Sequence, residues 1–137
     1  MKKLIVLTIL ILIAGITFGQ TLQKGNLIGM HVLTIHPDPD VTADQFLDFY
    51  TTILLPKMEK NAPGWKAYLV KGIRGGNENS YGLIYVIESD DVRNKYLNED
   101  ESLTELGLSM QEKIQPILDE FNKLGTLTSE YTDWLVL

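Results

Sequence analysis

Residues 26 to 36 read NLIGMHVLTIH, a mostly apolar run with several β-branched side chains. Such a run predicts a β-strand, and the Pro-Asp-Pro-Asp segment at 37 to 40 predicts a turn after it. Side chains alternate between the two faces of a strand. Here both faces are apolar, with Ile28, Met30 and Val32 on one and Leu27, Gly29, Leu33 and Ile35 on the other.

The next segment predicts a helix. Thr42 and Gln45 have the spacing of a capping box, so a helix should begin there. Apolar residues then recur every three or four positions and form one stripe: Phe46, Phe49, Tyr50, Ile53, Leu54 and, past Pro56, Met58. Because proline lacks an amide donor, Pro56 should kink or end this helix.

Two more strands and a second helical region follow. Residues 65 to 74 and 81 to 88 predict a hairpin that turns at Gly75, Gly76 and Asn77. Ser89 can cap a short helix over 90 to 97. A longer helix from Leu103 buries Leu106, Met110, Ile114, Ile117, Leu118 and Phe121, kinks at Pro116 and has a C-terminal glycine at Gly125. Residues 131 to 137 predict a fourth strand.

The predicted order is therefore β-α-β-β-α-β over residues 26 to 137. With right-handed crossovers this order gives an α+β fold, the ferredoxin-like split βαβ sandwich, with four antiparallel strands and both helices on one face. In a monomer the other face of the sheet should be polar, yet here it is apolar. A large apolar patch normally marks an interface, so we expect a homodimer formed through the open sheet face.

The first nineteen residues predict a secretory signal peptide. Lys2 and Lys3 precede an apolar run from Leu4 to Ile16, which is shorter than the roughly 20 residues needed to cross a bilayer. Residues 20 to 25 then form a lead-in to the domain. After cleavage no membrane attachment is expected, and the protein should be exported to the periplasm or outside the cell.

The composition argues against several classes of function. A formal net charge of −6 over 137 residues argues against a nucleic-acid partner. With no cysteine there is no thiol nucleophile, disulfide or thiolate metal site. We predict no metal ion and no cofactor.

The sequence resembles the dimeric α/β-barrel superfamily in its element order, its two-sided sheet, Ala62-Pro63-Gly64-Trp65 before the second strand and Tyr131-Thr132-Asp133-Trp134 near the C-terminus. That group includes cofactor-independent antibiotic-biosynthesis-type monooxygenases and NIPSNAP-like proteins. The resemblance implies paired sheets and, in members that act on ligands, a cavity between sheet and helices or within the barrel.

His31 is the leading candidate catalytic residue, because alternation places it among Leu27, Leu33 and Ile35. It is either a general base or ligand anchor in a cavity, or a core histidine bonded to a neighbouring hydroxyl or carbonyl. His36 should be exposed.

Four further residues are candidate ligand-binding groups. Tyr81 and Tyr85 share one face of the third strand, and Tyr131 and Asp133 share one face of the fourth. If register aligns them with His31, they form a polar group in an apolar cavity; otherwise they are aromatic packing and an exposed acid.

Three functions remain open. The first is an exported homodimer that binds a small apolar or aromatic molecule. The second is a cofactor-independent monooxygenase or isomerase in which His31 removes a proton from a phenol or enol. The third is a structural or interaction domain whose interior is filled.

Overall fold

The computed structural model describes residues 22 to 137. The predicted signal peptide lies outside the described residues. Within the described part, none of the helices is both long enough and apolar enough to cross a membrane.

Residues 22 to 137 contain four strands and two main helical regions. The strands are β1 (Leu27–Pro37), β2 (Trp65–Lys71), β3 (Tyr81–Ile87) and β4 (Gly125–Leu135). The first helical region comprises α1 (Ala43–Phe49), a π-helical turn (Tyr50–Leu54) and α2 (Leu55–Asn61). Between β3 and β4 lie a single turn, α3 (Asp90–Arg93), and the long α4 (Glu105–Asn122). The predicted β-α-β-β-α-β order is confirmed.

All strands pair antiparallel in one sheet of order β2-β3-β1-β4. The two central strands therefore each form part of a crossover, which gives the ferredoxin-like fold that the sequence predicts. The helices cover one side of the sheet, here called the helix face. Its core centres on Phe46, which is fully buried and packs against Phe121 with ring centroids 4.6 Å apart.

The capping box at the start of α1 is present as predicted. Gln45 donates its backbone N–H to Thr42 Oγ1 at 3.2 Å, and Thr42 donates its own N–H to Gln45 Oε1 at 2.9 Å. The helix does not end at Pro56. The π-helical turn directly before the proline shifts the backbone hydrogen-bond register, so the helical chain continues to Asn61.

Several details of the C-terminal half differ from the sequence prediction: β2 ends at Lys71, the short helix ends at Arg93, and two differences involve a glycine. Leu106 is 46% exposed, because Gly107 takes the buried position against the backbone of Tyr96, where a Cβ would collide with the carbonyl oxygen. Gly125 does not cap the long helix but begins β4, which is six residues longer at its start than predicted. This longer β4 brings Ser129 into register with Leu33.

The second side of the sheet, here called the open face, carries a row of apolar side chains. Met30 and Val32 of β1 are 51% and 41% exposed. Neighbouring strands add further exposed apolar residues to this face: Tyr68, Val70 and Trp134. The two-sided apolar character predicted for the sheet is therefore present.

Candidate functional site

A cavity of about 250 Å³ lies on the helix face, over the centre of β1, and is here called the His31 cavity. Three adjacent strands supply its polar walls. In the sheet register His31 pairs with Tyr131, and Gly29 pairs with both Tyr85 and Asp133. The predicted cluster depended on the strand register. The observed register places four side chains together: His31, Tyr85, Tyr131 and Asp133.

The His31 ring has a partner on three sides. Its Nδ1 lies 3.2 Å from Ser129 Oγ. The Tyr131 ring stacks on it with centroids 5.0 Å apart, and the Tyr85 ring meets it edge-on at 5.2 Å. Burial lowers the pKa of His31 below its ordinary value of 6.5, although the negative charge of Asp133 opposes this shift. The imidazole is therefore neutral at pH 7.

Gly29 forms the floor of the cavity. A Cβ at this position would lie 3.0 Å from Asp133 Oδ1, 3.4 Å from His31 Nε2 and 3.5 Å from Tyr85 Cβ. Because glycine has no side chain, a carboxylate oxygen and an imidazole nitrogen both border one small space. A hydrogen-bonding group of a ligand that lies over Gly29 would face both atoms.

Charged residues at one end of the cavity come from α3 and the loop after it. Arg93 Nε lies 3.7 Å from Asp133 Oδ2, and the Arg93 side chain is only 14% exposed. Glu101, which also lines the cavity, has a φ of 66°, an uncommon backbone conformation for a residue with a side chain. The Glu101 carboxylate beside Tyr131 raises the pKa of that phenol.

Trp65 and Tyr85 complete the aromatic wall. Their rings meet edge-on with centroids 5.8 Å apart. Burial raises the pKa of Tyr85, an effect that the neighbouring Tyr50 hydroxyl opposes, so Tyr85 remains a neutral phenol. The indole Nε1 of Trp65 is buried and has no hydrogen-bond partner among the described residues. A buried donor without a partner is uncommon, and an acceptor on a ligand would satisfy it.

The structure does not bring Tyr81 to the cavity. Tyr81 lies on the helix face but at the opposite end of β3, paired with Leu33, and Lys71 Nζ lies 5.8 Å from the centroid of its ring. It packs against the hydrophobic core. His36 is exposed, as predicted.

The sequence prediction did not include Gly29, Trp65, Arg93, Glu101 or Ser129 among the candidate site residues. Strand alternation, applied to β2, would have placed Trp65 on one face with Ala67 and Leu69, and a longer β4 would have placed Ser129 on the same face as Tyr131. Arg93 and Glu101 come from a short helix and a loop, for which no periodicity predicts direction.

Of the basic residues on or near β2, Lys66 is engaged elsewhere. Its Nζ donates to Glu59 Oε2 at 2.9 Å, while Ala67 donates its backbone N–H to Glu59 Oε1 at 2.8 Å. Burial alone would raise the pKa of Glu59, but these two partners lower it. Within residues 22 to 137, no group of three or more His, Asp or Glu side chains is arranged to hold a metal ion.

Comparison with known proteins gives a fold relationship. No protein-family model matches the sequence, and no curated protein sequence matches it. Among solved structures, the chain is similar to SnoaB, a cofactor-independent oxygenase from Streptomyces nogalater, with a TM-score of 0.50 and 17% identity over 83% of this chain and 95% of SnoaB.

Two more distant structures are a dimeric ferredoxin-like protein of unknown function from Bacteroides fragilis, with a TM-score of 0.39, and another from Thermobifida fusca, with a TM-score of 0.38. Their identities to this chain are 8% and 12%, over 82% and 86% of its length and 97% of theirs in each case. The antiparallel β2-β3-β1-β4 sheet and the similarity to SnoaB together give this chain a ferredoxin-like α+β fold.

Proposed function

We propose that this protein is an exported homodimer that binds a small aromatic molecule bearing a hydroxyl or carbonyl group in the His31 cavity. The observation that carries the proposal is the cavity itself. Its walls combine the aromatic rings of Trp65, Tyr85 and Tyr131 with a neutral imidazole and a carboxylate. An apolar, ring-lined space with a few convergent polar groups is the usual composition of a small-molecule site.

The size of the cavity fits this class of ligand. An apolar cavity of about 150 Å³ is known to hold benzene, and the His31 cavity has about 250 Å³. One ring or two fused rings would fill it. The ring stack of His31 and Tyr131 and the edge of Tyr85 favour a planar, aromatic occupant.

Association through the open face is the second part of the proposal. Met30, Val32 and Trp134 are each exposed by two fifths or more. At about 25 cal/mol per Å² of apolar surface removed from water, covering such a face stabilises the assembly substantially. Export rests on the N-terminal sequence, where two lysines precede an apolar run with the length of a signal peptide.

The binding proposal is tested by titrating the isotope-labelled protein with naphthol and following backbone amide resonances. We expect saturable shifts concentrated at residues that line the His31 cavity, such as Gly29 and Glu101. The hairpin loop around Asn77 serves as the internal reference, because it lies outside that cavity. Absence of saturable shifts, or shifts centred on the open face, would contradict the proposal.

Native mass spectrometry of the purified protein tests the assembly and any bound ligand together. We expect the mass of two copies, with additional mass when a ligand co-purifies. A single copy at micromolar concentration would contradict the homodimer.

A second candidate function, cofactor-independent oxygenation or isomerisation, is favoured by the state of His31. In the tautomer that donates Nδ1–H to Ser129, Nε2 keeps a lone pair beside Gly29 and Asp133. That nitrogen can accept the proton of a bound phenol or enol, and the nearby carboxylate stabilises the imidazolium that forms. SnoaB, which has a similar fold, is a cofactor-independent oxygenase.

For an isomerase the proton returns to a carbon of the substrate, and no co-reactant is needed. For an oxygenase, dissolved O2 is the oxidant: one oxygen atom enters the substrate, and the other leaves as water with two hydrogens of the substrate. Naphthohydroquinone would then yield hydroxynaphthoquinone and water. Loss of a general base lowers rates by about 100-fold or more. Comparing the turnover rates of wild type and His31→Ala therefore tests the catalytic candidate. Equal rates would remove the catalytic candidate and leave binding untouched.

A further inference from the structure

A second cavity lies beside the His31 cavity, between α2, the start of β2 and α4. It has a volume of about 160 Å³, and its exposed lining is wholly apolar. Because two methionines contribute to it, we call it the methionine chamber. The residues that line this chamber alone include Met58, Ala62, Tyr96, Leu103 and Met110.

The two cavities adjoin each other, because three residues line both: Trp65, Tyr85 and Leu97. Among these three, Trp65 contacts aromatic rings of both cavities. Its ring meets Tyr85 edge-on at 5.8 Å and Tyr96 edge-on at 6.0 Å. The aromatic wall of the His31 cavity is therefore continuous with that of the methionine chamber.

The chemistry of the two cavities is different. The His31 cavity contains an imidazole, a guanidinium and two carboxylates. The methionine chamber exposes only apolar surface, because the charged groups of its lining residues Glu59 and Lys66 bind each other at 2.9 Å. A polar substituent in the chamber would lose its water without gaining a partner. An alkyl or aryl substituent would lose no hydrogen bonds to water, and the flexible methionine side chains can adjust to its shape.

We propose that the ligand has two parts: a hydroxylated ring in the His31 cavity and an unsubstituted apolar group in the methionine chamber. This inference rests on the proposed binding function and narrows its ligand class. The chamber volume limits the apolar group to about one six-membered ring or a chain of about four to six carbons, since a comparable cavity of about 150 Å³ holds one benzene.

The inference is tested with para-alkylphenols whose chains lengthen from methyl to hexyl, by calorimetric titration. We expect affinity to rise about fourfold for each added methylene, the factor expected for burying one CH2 group, until the chamber is filled. Constant affinity along the series would overturn the two-part ligand while leaving ring binding in the His31 cavity intact. If no member of the series shifts the amides around Gly29, the proposed function and this inference both fail.

Methyl resonances of the methionines locate the chain directly. Butylphenol should shift the signals of Met58 and Met110, both of which line the chamber. Met30 is an internal control, because it lies on the open face of the sheet. Shifts at Met30 without shifts at the other two would place the chain elsewhere and overturn the proposal.

Filling the chamber gives the mutational test. Met110→Phe should lower the affinity for butylphenol at least about tenfold while leaving phenol binding unchanged, because the larger ring occupies the chain's space. Leu108→Phe, on the same helix but at a 51% exposed position, is the matched control. Leu103→Phe fills the chamber from another wall. It serves as the test if Met110→Phe does not fold. Equal affinity for butylphenol in a folded filled variant would overturn the proposal.

Discussion

His31 and Tyr131 are directly opposite each other on β1 and β4, and their rings stack with centroids 5.0 Å apart and planes 15° apart. One face of the imidazole is thus covered by a ring that is itself 44% exposed. Tyr131 therefore stands between His31 and water at the edge of the sheet.

Removing this ring should change the titration of His31. In Tyr131→Ala, the stacked face of the imidazole becomes exposed to water, so the pKa of His31 should rise toward 6.5, because burial is the main cause of the lowered value. NMR titration of the ring protons measures it. Tyr131→Phe keeps the stack and should leave the pKa close to that of the wild type. An unchanged pKa in the alanine variant would contradict this account.

Gly29→Ala should block the floor of the His31 cavity. The added methyl group would lie 3.0 Å from Asp133 Oδ1 and 3.4 Å from His31 Nε2, where a ligand group is proposed to bind. We expect naphthol affinity to fall about fivefold or more, the effect of a misfit of roughly 1 to 3 kcal/mol. Gly76→Ala is the control, since nothing lies within 4 Å of its Cβ position. Full affinity in Gly29→Ala would show that ligands do not use this space.

The lowered pKa of His31 predicts how stability depends on pH. The unfolded chain binds this proton more tightly, so the contribution of His31 to the free energy of unfolding is full above pH 6.5. It decreases as the pH falls through 6.5 and stops decreasing below the lowered pKa.

Urea unfolding of wild type and His31→Gln at about pH 7.5 and about pH 5.5 measures this contribution, because other titrating groups cancel in the difference. Acidification should reduce the stability of the wild type relative to the variant. His36→Gln, at an exposed position, is the matched control variant. A difference that is independent of pH would refute the prediction.

Charge on the open face should prevent association. In Val32→Lys each copy would place one ammonium in the proposed interface, and a two-fold axis brings two such charges into it. Burying unpaired charges costs several kcal/mol, so sedimentation at micromolar concentration should show single copies. Ile73→Lys, at a 74% exposed position outside the strands, should leave association unchanged. A Val32→Lys variant that still pairs would place the interface on another surface.

Phe46 should be among the most sensitive positions for stability. Its side chain is fully buried against Phe121, so Phe46→Ala leaves a cavity and should cost about 3 to 5 kcal/mol of unfolding free energy. Ile53→Ala, in the same helical region but at a 44% exposed position, should change it by less than about 1 kcal/mol. Chemical denaturation compares the two, and equal losses would be inconsistent with this core.

The fold followed from local patterns in the chain. Alternation in β1 and β3 assigned each side chain to the correct face, and the capping box located the start of α1, because both signals depend on neighbours in sequence. The element boundaries were less accurate where backbone geometry decided them. The helical chain passed Pro56 through a π-helical turn, and β4 began at Gly125 rather than Tyr131.

The candidate site, like the fold, could be predicted from the sequence only in part. The composition of strands β1, β3 and β4 was sufficient to propose that His31, Tyr85, Tyr131 and Asp133 meet, provided that their register agreed. Tyr81 satisfied the same alternation rule but lies too far along β3, because sharing a face does not fix position along the strand.

By itself, then, the sequence determined the order of the elements, the two apolar sides of the sheet and the residues able to provide the chemistry. These properties depend on the type of each side chain and on how often apolar side chains recur, and both are local features of the sequence. Only the tertiary structure decided that Gly29 leaves an open floor, that Arg93 and Glu101 reach the cavity, and that Trp65 lines both this cavity and an apolar chamber. Each depends on how distant segments pack, since a cavity is the space that such packing leaves unfilled.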